Sequence, residues 1–126
     1  MIHGIGTDIC DVRRIQRRVA AGRHGALFQR VLTAAEFQYC ERAPRASHAF
    51  AARFAAKEAW LKAASVPSGV ALREIEVVRA ASGAPHIRVH GHAHEFCKRV
   101  GINRALVTLS HDGDYAVATV LLLTGI

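Results

Sequence analysis

The fold is decided by the stretch Ser47-His-Ala-Phe-Ala-Ala-Arg-Phe-Ala-Ala-Lys-Glu-Ala-Trp-Leu-Lys-Ala-Ala64, which contains neither glycine nor proline. This run of residues predicts a helix over 47–64 that ends before Pro67. At 1.5 Å per residue the helix would be roughly 27 Å long. Phe50, Phe54 and Leu61 would mark its buried side, and its alanines would allow close packing.

Shorter elements are predicted on both sides of the long helix. Before it, the apolar spacing predicts a strand near the N-terminus, a helix from Asp11 to Val19 and a helix capped by Thr33 and Glu36, with a loop over 21–25. After it, we expect two strands joined by a turn at 82–85, a helix over 93–100, and a hairpin of runs 105–109 and 115–123 around Asp112-Gly113. The fold class is therefore α+β (mixed α/β): a single small domain over 1–126, with a mostly antiparallel sheet packed against the long helix.

Charge and cysteine usage narrow the function classes. Seventeen Lys and Arg against ten Asp and Glu give a net charge of +7, so we expect an anionic ligand or partner. The three cysteines form no CxxC pair, which argues against a zinc knuckle or a disulfide framework and favours a reducing compartment. Neither a signal peptide nor an apolar run of about 18 residues is recognisable, which predicts a cytoplasmic protein without a membrane segment.

Four arginines share one face of the first predicted helix: Arg13, Arg14, Arg17 and Arg18. They form two like-charge pairs at i,i+4 spacing, which destabilise an isolated helix by a few tenths of a kcal/mol each. A solvated face explains them as well as a surface that binds an acidic partner does. The sequence leaves both interpretations open.

Asp8 follows Gly4-Ile-Gly-Thr at the end of the first predicted strand. A carboxylate there, beside glycines that let the backbone approach a ligand, is suited to a hard cation. The alternative is an acidic residue that precedes the next helix and interacts favourably with its dipole.

Glu58 and Lys62 form an i,i+4 pair near the end of the long helix. They are either a surface ion pair or a carboxylate for a metal with an ammonium for a phosphate. Arg53, five residues before Glu58, could reach a second phosphate group of a ligand lying along the helix.

Ser110-His111-Asp112 is not a catalytic triad, because adjacency in sequence does not give triad geometry. It is either a polar turn that enters the predicted hairpin or a contact with a phosphate or ribose.

Taken together, four motifs resemble one family: Gly4-Ile-Gly-Thr-Asp8-Ile, Arg53-Phe-Ala-Ala-Lys-Glu58-Ala-Trp-Leu-Lys62-Ala, Gly83-Ala-Pro85 and Leu109-Ser110-His111-Asp112. Their order and spacing are similar to those of the holo-[acyl carrier protein] synthases, the short, single-domain 4′-phosphopantetheinyl transferases. The resemblance covers essentially the whole chain. It implies the 4′-phosphopantetheinyl transferase fold and transfer of phosphopantetheine from coenzyme A to a serine of an apo acyl carrier protein, releasing adenosine 3′,5′-bisphosphate.

The resemblance also implies roles for individual residues. Asp8 and Glu58 match the carboxylates that bind Mg²⁺, and Lys62 matches a lysine on the pyrophosphate side. The adenosine end of coenzyme A would lie near the residues Arg53, Pro85, Ser110 and His111. The family further implies a homotrimer with active sites between subunits.

Two points stay open at this stage. The base that takes the serine proton could be Asp8, Glu58, His111 or a water that they orient. The Arg13, Arg14, Arg17 and Arg18 face would suit an acidic carrier protein.

Two functions are alternatives to the transferase: a catalytically silent homologue that only binds carrier proteins, and a basic nucleic-acid-binding module. The second is disfavoured by an aromatic content of only 6% and by the lack of a known reading motif.

Overall fold

The computed structural model describes residues 1–66 and 68–125. The chain order is β1 (Ile2–Asp11), α1 (Val12–Ala20), α2 (Gly25–Val31), α3 (Ala34–Arg42), α4 (Ala46–Ala64), a 3₁₀ turn (Leu72–Glu74), β2 (Ile75–Arg79), β3 (Pro85–Val89), α5 (Gly91–Val100), β4 (Ile102–Asp112) and β5 (Tyr115–Thr124). The mixed α+β class and the long helix are confirmed. Pro67, before which the sequence predicts the end of this helix, lies outside the described residues.

Helix α2 is missing from the sequence prediction, which counted three helices before the central strands rather than four. No side chain caps its first turn, and it has only seven residues, so it gives no local signal. Tertiary packing holds it instead, because the Phe28 ring stacks on Phe50 of α4 with the ring centroids 4.3 Å apart. By contrast, the capping box of Thr33 and Glu36 at α3 is confirmed.

All described strand pairs are antiparallel. One sheet has the order β1-β5-β4, and β2 and β3 form a separate two-stranded sheet. The β4–β5 hairpin is confirmed, with Asp112 opposite Tyr115. Its two turn residues are therefore Gly113 and Asp114 rather than Asp112 and Gly113. Gly113 has a φ of 58°, which glycine adopts without steric cost.

The core lies between α4 and the inner face of the three-stranded sheet. Alternate residues of β5, from Ala116 to Leu122, are buried against the helix. On α4 the buried residues are mainly Phe50, Trp60 and small alanines. Phe54 and Leu61, which the sequence placed on the buried side, are only half-buried. The alanine surface lets the sheet approach the helix closely.

Gly4 and Gly6 show how close that approach is. Their α-hydrogens face α4, and a Cβ at Gly4 or Gly6 would collide with the carbonyl oxygen of Ala63 or Ala59, respectively. The sequence interpretation, in which the glycines open space for a ligand, is therefore wrong. They let β1 lie directly against the α4 backbone.

A buried ion pair connects α4 to α3 and β2. Lys57 is fully buried, and its Nζ donates to Glu36 Oε1 at 2.7 Å, Ile75 O at 2.6 Å and Leu72 O at 3.1 Å. The three acceptors match the three protons of an ammonium group. Glu36 also accepts from Val77 N at 2.9 Å. The segment that precedes Glu58 is therefore fixed from two sides.

Candidate active site

Strand β1 and helix α4 bring Asp8 and Lys62 together. Because even-numbered residues of β1 face the helix, the Asp8 side chain points toward the last turns of α4. Lys62 Nζ donates to Asp8 Oδ1 at 2.9 Å and to the carbonyl oxygen of Thr7 at 3.0 Å. The Asp8 side chain is 20% exposed and that of Lys62 is 56% exposed, so the pair lies at the protein surface.

Glu58 lies one helical turn before Lys62 and completes the cluster. Burial raises the pKa of Glu58, the negative charge of Asp8 raises it further, and Lys62 opposes both effects. The two carboxylates are thus close enough to repel each other. Of the two alternatives for Glu58 and Lys62, the surface ion pair is not the one formed, because the Lys62 ammonium pairs with Asp8 across the helix–strand contact.

This cluster has the chemistry of a site for a divalent cation and a phosphate. Two carboxylates that repel each other gain from a cation placed between them. Within residues 1–66 and 68–125 no three His, Cys, Asp or Glu side chains group as a metal cage. Mg²⁺ is commonly held by one or two carboxylates, with water and substrate phosphates as its other ligands, so Asp8 and Glu58 fit this ion. The Lys62 ammonium adds a point charge suited to a phosphate.

Ser110 and His111 lie within β4, not in a turn. The strand pairs place His111 opposite Ala116 and Ser110 opposite Val117, so their side chains point to opposite faces of the sheet. His111 lies on the α4 side, where its charge contributes to the lowered pKa of His48, after burial and Arg45. Ser110 is exposed on the outer face. One ligand therefore cannot contact both side chains from the same side of one sheet.

Arg53 lies on the α3 side of α4, away from Asp8 and Lys62. It is only 2% exposed, and its guanidinium carbon lies 4.1 Å from the centre of the Tyr39 ring. Nη1 donates to the carbonyl oxygen of Ala49 at 3.1 Å. The sequence indicates that Arg53 could reach a second phosphate group of a ligand along the helix, whereas the structure holds its guanidinium against the Tyr39 ring, on a different side of α4 from Asp8 and Lys62.

Pro85 begins β3 and pairs with Arg79, so it belongs to the separate two-stranded sheet. The structure therefore does not bring it into the cluster of Asp8, Glu58 and Lys62. The cluster is therefore only part of the predicted site. Within one chain the residues predicted to bind metal and phosphate lie together, whereas those assigned to the adenosine end lie in separate places.

The predicted arginine face divides into two parts. Arg13 pairs with Asp11 at 2.9 Å and donates to the Tyr115 hydroxyl at 3.2 Å. Arg14, Arg17 and Arg18 are exposed, and none of them has an ion-pair partner in the part of the chain that the structure describes. These three guanidinium groups form the free basic surface of α1.

Sequence reasoning missed two residues that shape the site. The signal for Lys57 is a lysine that follows two alanines on a helix whose other residues are largely apolar, although its carboxylate partner is 21 positions away. Tyr39 gave no signal, because nothing local connects α3 to a residue in the middle of α4.

Comparison with known proteins gives one consistent family. A family model described as the 4′-phosphopantetheinyl transferase superfamily matches residues 4–120. The holo-[acyl-carrier-protein] synthase of Geobacter sulfurreducens is 43% identical over 124 residues, covering 97% of this chain and 98% of the relative. The enzyme of the same name from Myxococcus xanthus is 44% identical over 121 residues, covering 96% and 94%.

Solved structures agree in fold. The holo-[acyl-carrier-protein] synthase of Neisseria meningitidis superimposes with a TM-score of 0.86 and 31% identity, covering 98% of this chain and 100% of that one. The Helicobacter pylori enzyme in complex with coenzyme A gives a TM-score of 0.80 and 28% identity, covering 94% and 99%. Sequence and fold agree over almost the whole length, and the chain thus belongs to the holo-[acyl-carrier-protein] synthase family of the 4′-phosphopantetheinyl transferase superfamily.

Proposed function

We propose that this chain transfers the 4′-phosphopantetheine group of coenzyme A to a serine of an apo acyl carrier protein, in a reaction that depends on Mg²⁺. Adenosine 3′,5′-bisphosphate is the other product. The observation that carries the proposal is the Asp8–Lys62 contact at 2.9 Å, beside a Glu58 whose pKa is raised. Family membership supplies the substrate class.

Each member of the cluster has a distinct task. Asp8 and Glu58 would hold Mg²⁺, which when bound neutralises charge on the pyrophosphate oxygens of coenzyme A. Lys62 Nζ lies between β1 and α4 and would direct its positive charge at a phosphate oxygen. Since the serine hydroxyl of the carrier protein attacks phosphorus, the enzyme needs no nucleophile of its own. The bond from phosphorus to the bridging oxygen of the adenosine side then breaks.

The serine proton must pass to a base near the cluster. Without a bound metal, burial and the charge of Asp8 raise the pKa of Glu58, which favours Glu58 as a base, whereas Mg²⁺ held by the same carboxylate would oppose that shift. Asp8, or a water molecule oriented by either carboxylate, would lie in the same cluster and is also a candidate for this base. His111 remains a candidate only if the ligand reaches the end of β4.

The free basic surface of α1 is the proposed docking site for an acidic carrier protein. Arg14, Arg17 and Arg18 are exposed and not engaged by acids in the described part of the chain. Complementary charge would accelerate encounter and orient the carrier serine. Asp11 already pairs with Arg13, which removes Arg13 from this surface.

We further propose a homotrimer with active sites between subunits. The outer face of the three-stranded sheet exposes Ile5 (67%), Ile9 (60%) and Leu106 (43%), a set of large apolar side chains that a partner surface would cover. Arg53 and the Asp8–Lys62 pair lie on different sides of α4. A coenzyme A molecule bound by both kinds of residue would therefore draw them from neighbouring subunits.

No helix in the described residues is long and apolar enough to span a membrane. The two proposed substrates, coenzyme A and an acyl carrier protein, support the cytoplasmic location that the sequence predicts.

Intact-mass spectrometry of an apo acyl carrier protein tests the reaction. We expect the carrier to gain one phosphopantetheine when incubated with the chain, coenzyme A and Mg²⁺, and to gain nothing with EDTA. Asp8→Asn and Glu58→Gln are expected to fold and to lose the Mg²⁺-dependent gain. If the folded wild-type protein modified no carrier, the proposal would be wrong; full activity in either variant would overturn the metal assignment alone.

A further inference from the structure

Arg53 is an energetically unusual residue. Its side chain is almost entirely buried, yet within the described ranges no carboxylate lies at ion-pair distance from it. Nε is buried without a hydrogen-bond partner. A buried cation without a counter-charge is costly, and an anion supplied by a bound ligand would remove that cost.

Two contacts fix the Arg53 guanidinium. Its central carbon lies over the Tyr39 ring of α3, 4.1 Å from the ring centroid, in a cation–π arrangement, and Ala49 O accepts from Nη1 at 3.1 Å. Nη2 makes no hydrogen bond with the described residues and is not among the fully buried unpartnered nitrogens. Nη2 is therefore the nitrogen that remains open to an external acceptor.

Tyr39 is itself accessible, with 45% of its surface exposed. It covers the guanidinium on one side and does not occupy a core position. The main contact of its ring is therefore with Arg53 and not with the core that packs α3. A side chain of this kind can restrict the rotamers of an arginine and so reduce the entropy lost when that arginine binds an anion.

We propose that Tyr39 is a positioning residue for coenzyme A: its ring holds the Arg53 guanidinium so that Nη2 is presented to an anionic group of that substrate. The inference rests on the proposed function together with the family resemblance, which implies that Arg53 lies near the adenosine end of coenzyme A. Tyr39 does not touch the substrate in this arrangement and acts only through Arg53.

Steady-state kinetics of Tyr39→Leu and Tyr39→Phe test the proposal. Phenylalanine keeps the aromatic face and leucine removes it. We expect Tyr39→Leu to raise the KM for coenzyme A about two- to fivefold, the factor that corresponds to a typical exposed cation–π contact. We expect kcat and the KM for apo acyl carrier protein to stay within twofold, and Tyr39→Phe to match the wild type. Equal KM values for the leucine and phenylalanine variants would overturn the proposal.

An Arg53→Met background separates positioning from general damage. If Tyr39 acts through Arg53, adding Tyr39→Leu to Arg53→Met leaves the KM for coenzyme A unchanged. A further rise of the same factor in that background contradicts the proposal. Melting temperatures identify any variant that fails to fold, and Tyr39→Met replaces the leucine variant in that case.

Calorimetric titration with coenzyme A distinguishes this inference from the proposed function. A wild-type protein that binds coenzyme A but modifies no carrier overturns the proposed transfer. The Kd for coenzyme A then replaces KM, and the same two variants decide whether Tyr39 positions Arg53.

Discussion

Replacing Lys57 by methionine tests how α4 is fixed beside the active site. The substitution keeps most of the side-chain volume and removes only the ammonium, whose Nζ donates to Glu36 Oε1, Ile75 O and Leu72 O. The Glu36 carboxylate, only 2% exposed, would then carry a buried negative charge without its cation. Breaking one side of a buried ion pair costs about 3–5 kcal/mol.

The expected loss of stability is large for a chain of this size. For 126 residues, an unfolding entropy of about 2.1 cal/mol/K per residue makes each kcal/mol worth roughly 4 °C. Lys57→Met should therefore lower the melting temperature by about 10–20 °C and reduce the free energy of unfolding in urea by about 3–5 kcal/mol. Both are measured by circular dichroism.

Lys62→Met is the matched control on the same helix. Its ammonium also pairs with an aspartate at 2.9 Å, but the side chain is 56% exposed. An exposed pair contributes about 0–1 kcal/mol, so this variant should unfold almost like the wild type. Equal losses in the two variants would show that burial does not govern the cost.

A double-mutant cycle isolates the pair itself. Glu36→Gln keeps an oxygen that can accept from the Val77 amide, which Glu36 now satisfies at 2.9 Å. We expect the double variant with Lys57→Met to be at least about 2 kcal/mol more stable than the sum of the single losses predicts. Additive losses would refute the assignment of the destabilisation to an uncompensated charge.

Three further predictions follow from the contacts of β1, α1 and β2. Gly6→Ala should destabilise the protein and lower transfer activity, because its Cβ would lie 2.8 Å from Ala63 N and push β1, with Asp8, away from α4; wild-type melting temperature and activity would contradict this. Reversing the charges with Arg14→Glu and Arg17→Glu should raise the KM for apo carrier protein and weaken its salt dependence while the Kd for coenzyme A stays constant; unchanged carrier kinetics would remove the docking surface from α1. Burial raises the pKa of Glu76, but hydrogen bonds from His90 and Thr33 outweigh it, so the net pKa is lowered. The stability that Glu76 provides should therefore be present above about pH 4.5 and be lost as pH falls through the lowered pKa. In urea unfolding, the difference in free energy of unfolding between the wild type and Glu76→Gln should become smaller below that pH. A difference that stays constant with pH would refute this.

The residue patterns of α4, α3 and the β4–β5 hairpin were sufficient to predict those elements. Each depends on interactions within a few positions: an uninterrupted run of helix formers, a Thr33–Glu36 capping box, and a glycine beside an aspartate between two apolar runs. Free energies of this kind depend on residues that are adjacent or a few positions apart in the sequence. The same holds for the candidate site, because Asp8, Glu58 and Lys62 stand in short motifs.

The failures share one physical cause, which is that the deciding partner is distant in sequence. Helix α2 forms because Phe28 stacks on Phe50. Lys62 pairs with Asp8, 54 positions away, rather than with its helical neighbour Glu58. The glycines of β1 serve the contact with α4, which no pattern within β1 reveals.

The sequence by itself therefore determined most of the elements and the family, and it singled out Asp8, Glu58 and Lys62 as the candidate site, since these depend on local propensity and residue type. Only the tertiary structure decided which of those side chains meet. It joined Asp8 to Lys62 across a helix–strand contact, placed Ser110 and His111 on opposite faces of β4, and enclosed Arg53 beneath Tyr39. The physical reason is that each of these contacts depends on how distant segments pack around the shared core, and packing geometry is not encoded within any one segment.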